Sequence, residues 1–514
     1  MKASNEFPIS VSLSTALAPV IVLICLLISN IIIFKDGATI GPNQLALLFS
    51  GIFTLAIGTI YLKIPYKLFE EEITRSIGYA VPAFIILLMV GSLISLWIAS
   101  GIVPSMIFYG LKLIDPSLFL PTSCLLCALV SLATGSSWST TGTVGISLIG
   151  IGITLGISEG MTAGAVISGA YFGDKMSPLS DTTNMAPAMA GTDIFTHIRH
   201  MMYTSFPAIL LSLVGFSVLG LFAGVSQTSK SQIDLVADTI IENFNIGPHL
   251  FVIPAIVMLL IAKKVRAFPA LTVGVLLGAV AVPLFQAELL SKVLPGESED
   301  CGAIYQYLVT VAYKGFVISS GHEMVDTLFS RGGMASMLNT IWLIMCAMVF
   351  GGCLDAAGML DKIANSILKM VSGAGSLVGA TVASCLTLNM TASDQYLAIV
   401  VPGRMFKKAY EKYGLHPKNL SRSLEDAGTV TSVLVPWNSG GAYNSSVLGV
   451  PTLTYLPYCF FNLLSPLFSI FLASMNLTIE KSVISVEDED FKTPAPSLAN
   501  HYNEGKQITI DLSP

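Results

Sequence analysis

The run Gly173-Asp-Lys-Met-Ser-Pro-Leu-Ser-Asp-Thr-Thr-Asn184 follows directly on the apolar Ala165-Val-Ile-Ser-Gly-Ala-Tyr-Phe172. Its Ser, Thr, Asn and Asp side chains compete with the backbone for hydrogen bonds, and Pro178 removes a donor, so a helix entering the run must unwind. Unwound backbone at membrane depth survives only where it lines a cavity or is buried in protein. The carbonyl and hydroxyl oxygens it frees are ligands for a hard cation such as Na⁺, while the N–H groups that open the next half-helix favour an anion. This reading holds only if the surrounding chain lies in a bilayer.

Composition puts it there. Of 514 residues 53% are hydrophobic and only 11% charged, with a mean hydropathy of +0.75, whereas a soluble domain carries about 25% charged residues. Apolar runs of roughly the 20 residues a membrane helix needs span Val11–Phe34, Asn43–Leu62, Ile77–Ser100, His200–Ala223, Phe268–Phe285, Ser336–Leu354 and Thr452–Ser474. Shorter or interrupted runs lie near 118–133, 139–157, 160–172, 248–262, 375–388 and 395–402. Together they predict about ten to twelve crossings. The first run is too long for a signal-peptide core and reads as a retained helix.

Basic residues cluster at Lys63, Lys67 and Arg75, at Lys263, Lys264 and Arg266, and from Arg404 through Lys407, Lys408, Lys412 and Lys418 to Arg422. These clusters are read as three loops and are expected in the cytoplasm. The acidic stretches at Asp234, Asp238 and Glu242 and at Glu297, Glu299 and Asp300 are expected outside, with the N-terminus inside. Residues 1–475 are read as the membrane domain and 476–514, with Glu487–Asp490, Pro494 and Pro496, as a polar, mobile tail. All the cysteines but Cys301 lie in apolar segments, so no disulfide framework is expected, and the Cys124/Cys127 pair reads as packing.

Enzyme motifs fail where they are tested. His322-Glu323 opens a metalloprotease-like string, but Asp326 stands where its second histidine belongs, and Tyr171 stands where an intramembrane aspartyl-protease signature needs glycine. No phosphate-loop pattern appears either, so neither an enzyme nor an ATP-driven pump is expected.

The chain echoes itself. Ser95–Ile102 can be laid on Gly352–Met359, Gly135–Thr141 on Thr387–Ser393, and Gly173-Asp174 on Glu425-Asp426, in the same order at similar spacing. The echo frames repeats of about 77–225 and 336–474. Each half then holds two polar, interrupted stretches: Ala133–Gly142 and Gly173–Asn184 in the first, Leu388–Asp394 and Glu425–Asn438 in the second. An Asp at the centre of a membrane helix costs about 2.5–3.5 kcal/mol on insertion scales and so marks function. Asp174, Asp181 and Asp426 are the candidate carboxylates, against the plainer alternative of helix caps at the membrane surface. Ser136, Ser137, Thr140, Ser177, Ser180, Thr182, Asn184, Asn389, Thr391, Thr429, Thr431 and Asn438 are the candidate supporting ligands. Lys175 reads equally as a partner for Asp174 or as a solvated charge, and Asp394 and Glu425 as charges at segment ends.

The string Gly173-Asp-Lys-Met-Ser-Pro-Leu-Ser-Asp-Thr-Thr-Asn184, with Ala133–Gly145 upstream and Val435-Pro-Trp-Asn438 downstream, resembles the NhaC family of Na⁺/H⁺ antiporters over roughly residues 10–475. The resemblance implies an all-α polytopic membrane protein of two inverted repeats, each with a hairpin and a broken-helix element. It implies exchange of Na⁺ for H⁺ across a bacterial cytoplasmic (inner) membrane, with Asp174 or Asp181 binding Na⁺ and no cofactor beyond the transported ions. Relatives of that family also exchange malate and lactate or carry amino acids, so an organic-anion exchanger on the same scaffold is the alternative. The expected partners are Na⁺, H⁺ and the lipid bilayer, with a homodimer allowed and no nucleic acid.

Overall fold

In a computed structural model the chain is described at residues 11–34, 37–38, 40–222, 230–263, 265–296 and 300–482. Residues 1–10, Ala223, Lys264, Glu297, Glu299 and everything from 483 onward, including the acidic and proline-bearing part of the tail, lie outside the described residues. Among the described residues the secondary structure is helical, apart from one isolated antiparallel bridge between Leu415 and Lys481. The chain is an all-α polytopic membrane protein.

Among the described residues eight helices are long and apolar enough to cross a bilayer, and ten if each of two bent pairs is one span. The bent pairs are Ile233–Asn243 with Pro248–Ala262, at 86°, and Thr452–Tyr458 with Phe460–Ser474, at 57°. Several segments counted as crossings from hydropathy are shorter or interrupted. Near 139–157 the chain forms Ser137–Thr140, a π-helical turn Thr141–Gly145 and Ile146–Thr154. Burial divides centre from periphery: Tyr66–Ala99 and Met334–Ala356 are mostly buried, whereas Leu13–Phe34 is mostly exposed and turns Ile21, Ile28 and Ile32 outward.

Lipid tails are as apolar as the side chains, so helices associate there through close packing rather than hydrophobic burial. Helix Glu159–Met176 shows how. A Cβ on Gly169 or Gly173 would strike the carbonyl of Cys124 or Ala128 on helix Phe119–Thr134, and one on Gly160 or Gly164 would strike the backbone at Thr454 or Tyr458. These four glycines thus lie on two contact faces of one helix, which is clamped on both sides at backbone distance.

Caps and breaks recur at a constant spacing. Ser180 caps helix Asp181–Ala190, and Asn438 caps helix Ser439–Leu448, 258 residues on (438 − 180). The same offset relates the caps Ser158 and His416, the caps Ser136 and Asp394, the left-handed residues Gly135 and Ser393, and the left-handed C-caps Gly191 and Gly449. The sequence pairings of Gly135 with Thr387 and of Gly173-Asp174 with Glu425-Asp426 are therefore displaced by six residues from the structural correspondence. They matched polar side chains, whereas the architecture repeats backbone geometry, and residue types at equivalent points differ.

Two further expectations change. Lys67 and Arg75 ride on helix Tyr66–Ala99, and Arg404 to Lys412 on helix Gln395–Lys412, rather than in loops, while Arg422 is fully buried. The first part of the tail is docked rather than mobile: Arg422 Nη1 donates to Thr478 Oγ1 at 2.9 Å, Lys418 pairs with Glu480, and Asn419 Nδ2 donates to the Glu480 carbonyl at 2.7 Å. A buried guanidinium requires acceptors, and the residues just past the last membrane helix supply one.

Candidate functional site

Asp174 lies two residues before the end of helix Glu159–Met176, 8% exposed. Its Oδ2 accepts from the Ser137 amide at 3.1 Å and from Ser137 Oγ at 2.6 Å. Ser137 is the first residue of a half-helix that starts after the left-handed Gly135, so the carboxylate faces a helix N-terminus, where exposed N–H groups stabilise negative charge. Ser180, the cap of the next half-helix, is also within reach of the Asp174 side chain. The break between them is tied down by Thr183 Oγ1, which donates to the Lys175 carbonyl at 3.1 Å, and by Asn184 Nδ2, which donates to the carbonyls of Pro178 at 3.0 Å and Ser180 at 2.6 Å.

The two halves meet directly behind Asp174. Lys175 and Asp426, both fully buried, form an ion pair. Asp426 Oδ1 also accepts from Thr204 Oγ1 at 3.0 Å and Ser465 Oγ at 2.9 Å. Glu425, fully buried on the same π-helical turn Glu425–Thr429, accepts at Oε1 from Thr182 Oγ1 at 3.0 Å, and its Oε2 has no partner. Nearby, Tyr443 Oη donates to the Trp138 carbonyl at 2.7 Å and their rings stack with centroids 4.2 Å apart. Side chains of the polar stretches in both halves therefore converge on one buried region.

The break in the second half is closed by amides. Asn389 Nδ2 donates to the Gly428 carbonyl at 2.8 Å and to Thr431 Oγ1 at 3.0 Å, and Asn438 Nδ2 donates to the carbonyl and the side-chain oxygen of Asn389, each at 3.0 Å. Oxygens that a cation would seek in an unwound turn already have a donor. Asp394 caps its own helix, accepting from the amides of Tyr396 at 2.9 Å and Leu397 at 3.1 Å.

The remaining candidates divide. Asp181 is exposed at the first position of its half-helix, carries no hydrogen bond from a described residue, and is near enough to Asp174 for their charges to interact. The Thr140 and Thr391 hydroxyls turn back onto the Ser136 carbonyl at 2.9 Å and the Thr387 carbonyl at 2.7 Å of their own helices. Ser136 Oγ accepts from the Ser139 amide at 3.1 Å, and Ser177 Oγ from the Leu179 amide at 3.3 Å. Thr429 is buried, with its hydroxyl within reach of the Glu425 carboxylate. Sequence reasoning passed over Thr204 and Ser465, which lie within apolar membrane helices and outside the proline- and glycine-interrupted stretches that marked the other candidates. Among the described residues no three His, Cys, Asp or Glu groups form a metal cage. A cation held at Asp174 would therefore draw on one carboxylate with hydroxyl and backbone oxygens, a hard-ligand set suited to an alkali ion.

A multi-pass bundle whose broken helices meet at buried, partly paired carboxylates is the architecture of a membrane transporter. Residues 169–477 match the Na⁺/H⁺ antiporter family. The Na⁺/H⁺ antiporter NhaC of Alkalihalophilus pseudofirmus is 35% identical over 460 residues, covering 90% of this chain and 95% of that one. NhaC of Bacillus subtilis is 37% identical over 423 residues, 82% of this chain and 90% of its own. The malate-2H⁺/Na⁺-lactate antiporter of Bacillus subtilis is 35% identical over 417 residues, 81% and 86% respectively. The chain belongs to the NhaC family of Na⁺/H⁺ antiporters.

Proposed function

We propose that this protein exchanges Na⁺ for H⁺ at Asp174. The observation that carries the reading is the Asp174 carboxylate, buried at a helix break and held by Ser137, with Ser180 in reach. One group that binds either H⁺ or Na⁺ couples the two ions, provided that the empty carboxylate does not cross: its charge makes the unloaded protein costly to switch between faces. Asp181, exposed beside it, serves as the outer carboxylate through which the ion arrives. The recurring caps support two structural repeats, about 77–225 and 336–474, which we take to be inverted. The bias of basic residues supports a cytoplasmic face at Lys63–Arg75 and Arg404–Lys418, an N-terminus inside and residence in the cytoplasmic membrane of a bacterium. The transported ions are the only small partners required, and no cofactor is invoked.

The similarity to a malate/lactate exchanger raises organic-anion exchange as a second reading. The Asn389 and Asn438 amides, which such a site would turn toward a carboxylate, are instead bonded to each other and to the backbone of the unwound turn. Everted vesicles with a pH-sensitive dye decide between them. Na⁺ alone should alkalinise the lumen, increasingly as pH rises, and Asp174→Asn should abolish the response. A signal that appears only with malate, lactate or an amino acid present would replace this reading with the second.

A further inference from the structure

We propose that the cavity between the 315–333 segment and the end of helix Ser439–Leu448 binds a small organic carboxylate, held by Arg331 and Lys314, at a site separate from the ion site at Asp174. Both cations line a cavity of about 330 Å³. Ser330 and Ser446 add hydroxyls to its wall, and Ile94 and Phe316 give it an apolar side. Cavities that hold small molecules begin at about 300 Å³ and combine apolar walls with a few polar groups. Arg331 also lines an adjoining cavity of about 290 Å³, whose acidic residues are Glu159 and Glu323. Glu159 opens the helix that carries Asp174 near its far end, 15 residues on (174 − 159), or about 22 Å at the rise of an α-helix. The inference therefore goes beyond the exchange reading and does not depend on it.

Arg331 is the residue that calls for an anion. It is partly buried, yet among the described residues its guanidinium enters no ion pair, and its hydrogen bonds are those of its backbone. Two features of the protein come near without satisfying it. Nη1 stands 3.6 Å from where Gly449, the left-handed C-cap of helix Ser439–Leu448, would carry a Cβ; the helix dipole favours a cation there, but the guanidinium donates to no carbonyl. Glu159 is close enough for its charge to act on Arg331, but it is exposed on the wall of the adjoining cavity and beyond ion-pair distance. A guanidinium drawn out of water without acceptors is costly, and a carboxylate matches its planar fork with two parallel hydrogen bonds. Lys314, exposed at the end of helix Cys301–Lys314 and also without an acidic partner among the described residues, supplies a second positive charge. The apolar side of the cavity favours an organic acid over inorganic phosphate, and the pair of cations favours a dicarboxylate over a monocarboxylate.

The test titrates malate and lactate, as choline salts at constant ionic strength, into the purified full-length protein in micelles and reads the heat of binding and the thermal midpoint. Malate should bind saturably and more tightly than lactate. Arg331→Gln should weaken malate binding by about tenfold or more, as the loss of charge-assisted hydrogen bonds does. Should Arg331→Gln not fold, Lys314→Glu changes an exposed side chain and should weaken binding as well. Asp174→Asn should bind malate as wild type does. Malate that has no more effect than chloride, or that binds wild type and Lys314→Glu equally, overturns the proposal. Binding lost in Asp174→Asn and kept in Lys314→Glu also overturns it, and moves the organic anion to the broken helices. If malate is without effect while short-chain phosphatidylglycerol raises the midpoint of wild type but not of Lys314→Glu, the cations hold a lipid headgroup and the carboxylate proposal falls. None of these outcomes touches the exchange reading, which the Na⁺-driven alkalinisation of vesicles tests by itself.

Discussion

Substituting Lys175 by methionine leaves Asp426 fully buried with two hydroxyls, from Thr204 and Ser465, and no ion-pair partner, the nearest positive charge then being Arg422 one turn earlier. Removing one partner of a buried ion pair typically costs about 3–5 kcal/mol, because the other charge remains desolvated. Asp426→Leu, which strands the ammonium, should cost a similar amount. The double variant should cost much less. Thr204 keeps its second bond, to the Met201 carbonyl at 3.0 Å, so Ser465 alone loses its partners, a penalty of about 1–3 kcal/mol. The cycle should therefore be strongly non-additive, by several kcal/mol. Denaturant unfolding of the four proteins in the same micelle measures it. If Lys175→Met falls within about 1 kcal/mol of wild type, or the double variant equals the sum of the singles, the buried charges are not energetically coupled and the reasoning fails.

Three further outcomes are expected. Gly169→Ala or Gly173→Ala should force apart the helices that meet at Cys124 and Ala128, at a cost of about 1–3 kcal/mol, read as a lowered thermal midpoint; unchanged stability would mean that the close approach is not required. Cysteines placed at Ser158 and His416, equivalent under the 258-residue offset, should react with an impermeant thiol reagent from opposite sides of the membrane, in a background stripped of native cysteine; labelling from one side would make the repeats parallel. Asp326, in the segment between membrane helices, accepts from the Ser320 amide at 2.6 Å and its hydroxyl at 2.7 Å, and these bonds hold its carboxyl below the usual value of 3.8. Its contribution is present above that value and is lost as pH falls through the lower folded one, so amide-exchange protection near residue 320 should drop in strong acid in wild type and be pH-flat in Asp326→Asn.

Much of this was legible in the chain itself, and what was not has a common cause. The Gly173–Asn184 run announced a broken helix because its composition opposes continuous helix, and the break lies there, between Met176 and Asp181. Asp174 and Asp181 looked alike in sequence, yet one is buried against a helix start and the other is exposed, a difference set by which helix end each occupies. Lys175 found its partner 251 residues away, a pairing that no local pattern encodes. Glu425 was set aside as a charge at a segment end, although the segment end lies in the protein interior. The register of the echo was displaced because side-chain chemistry diverges between the halves where backbone geometry does not.

The amides that close the second break carry a consequence for how ion binding becomes motion. Asn389 is part of the chain, so the donor it gives to the turn at Ala427–Thr431 does not depend on which ion is bound. On the exchange proposed above, only the break beside Asp174 would change its contents. One half of the protein would then work as a fixed bearing and the other as the moving catch, so that two stretches with recurring caps would do their work through an imbalance between them.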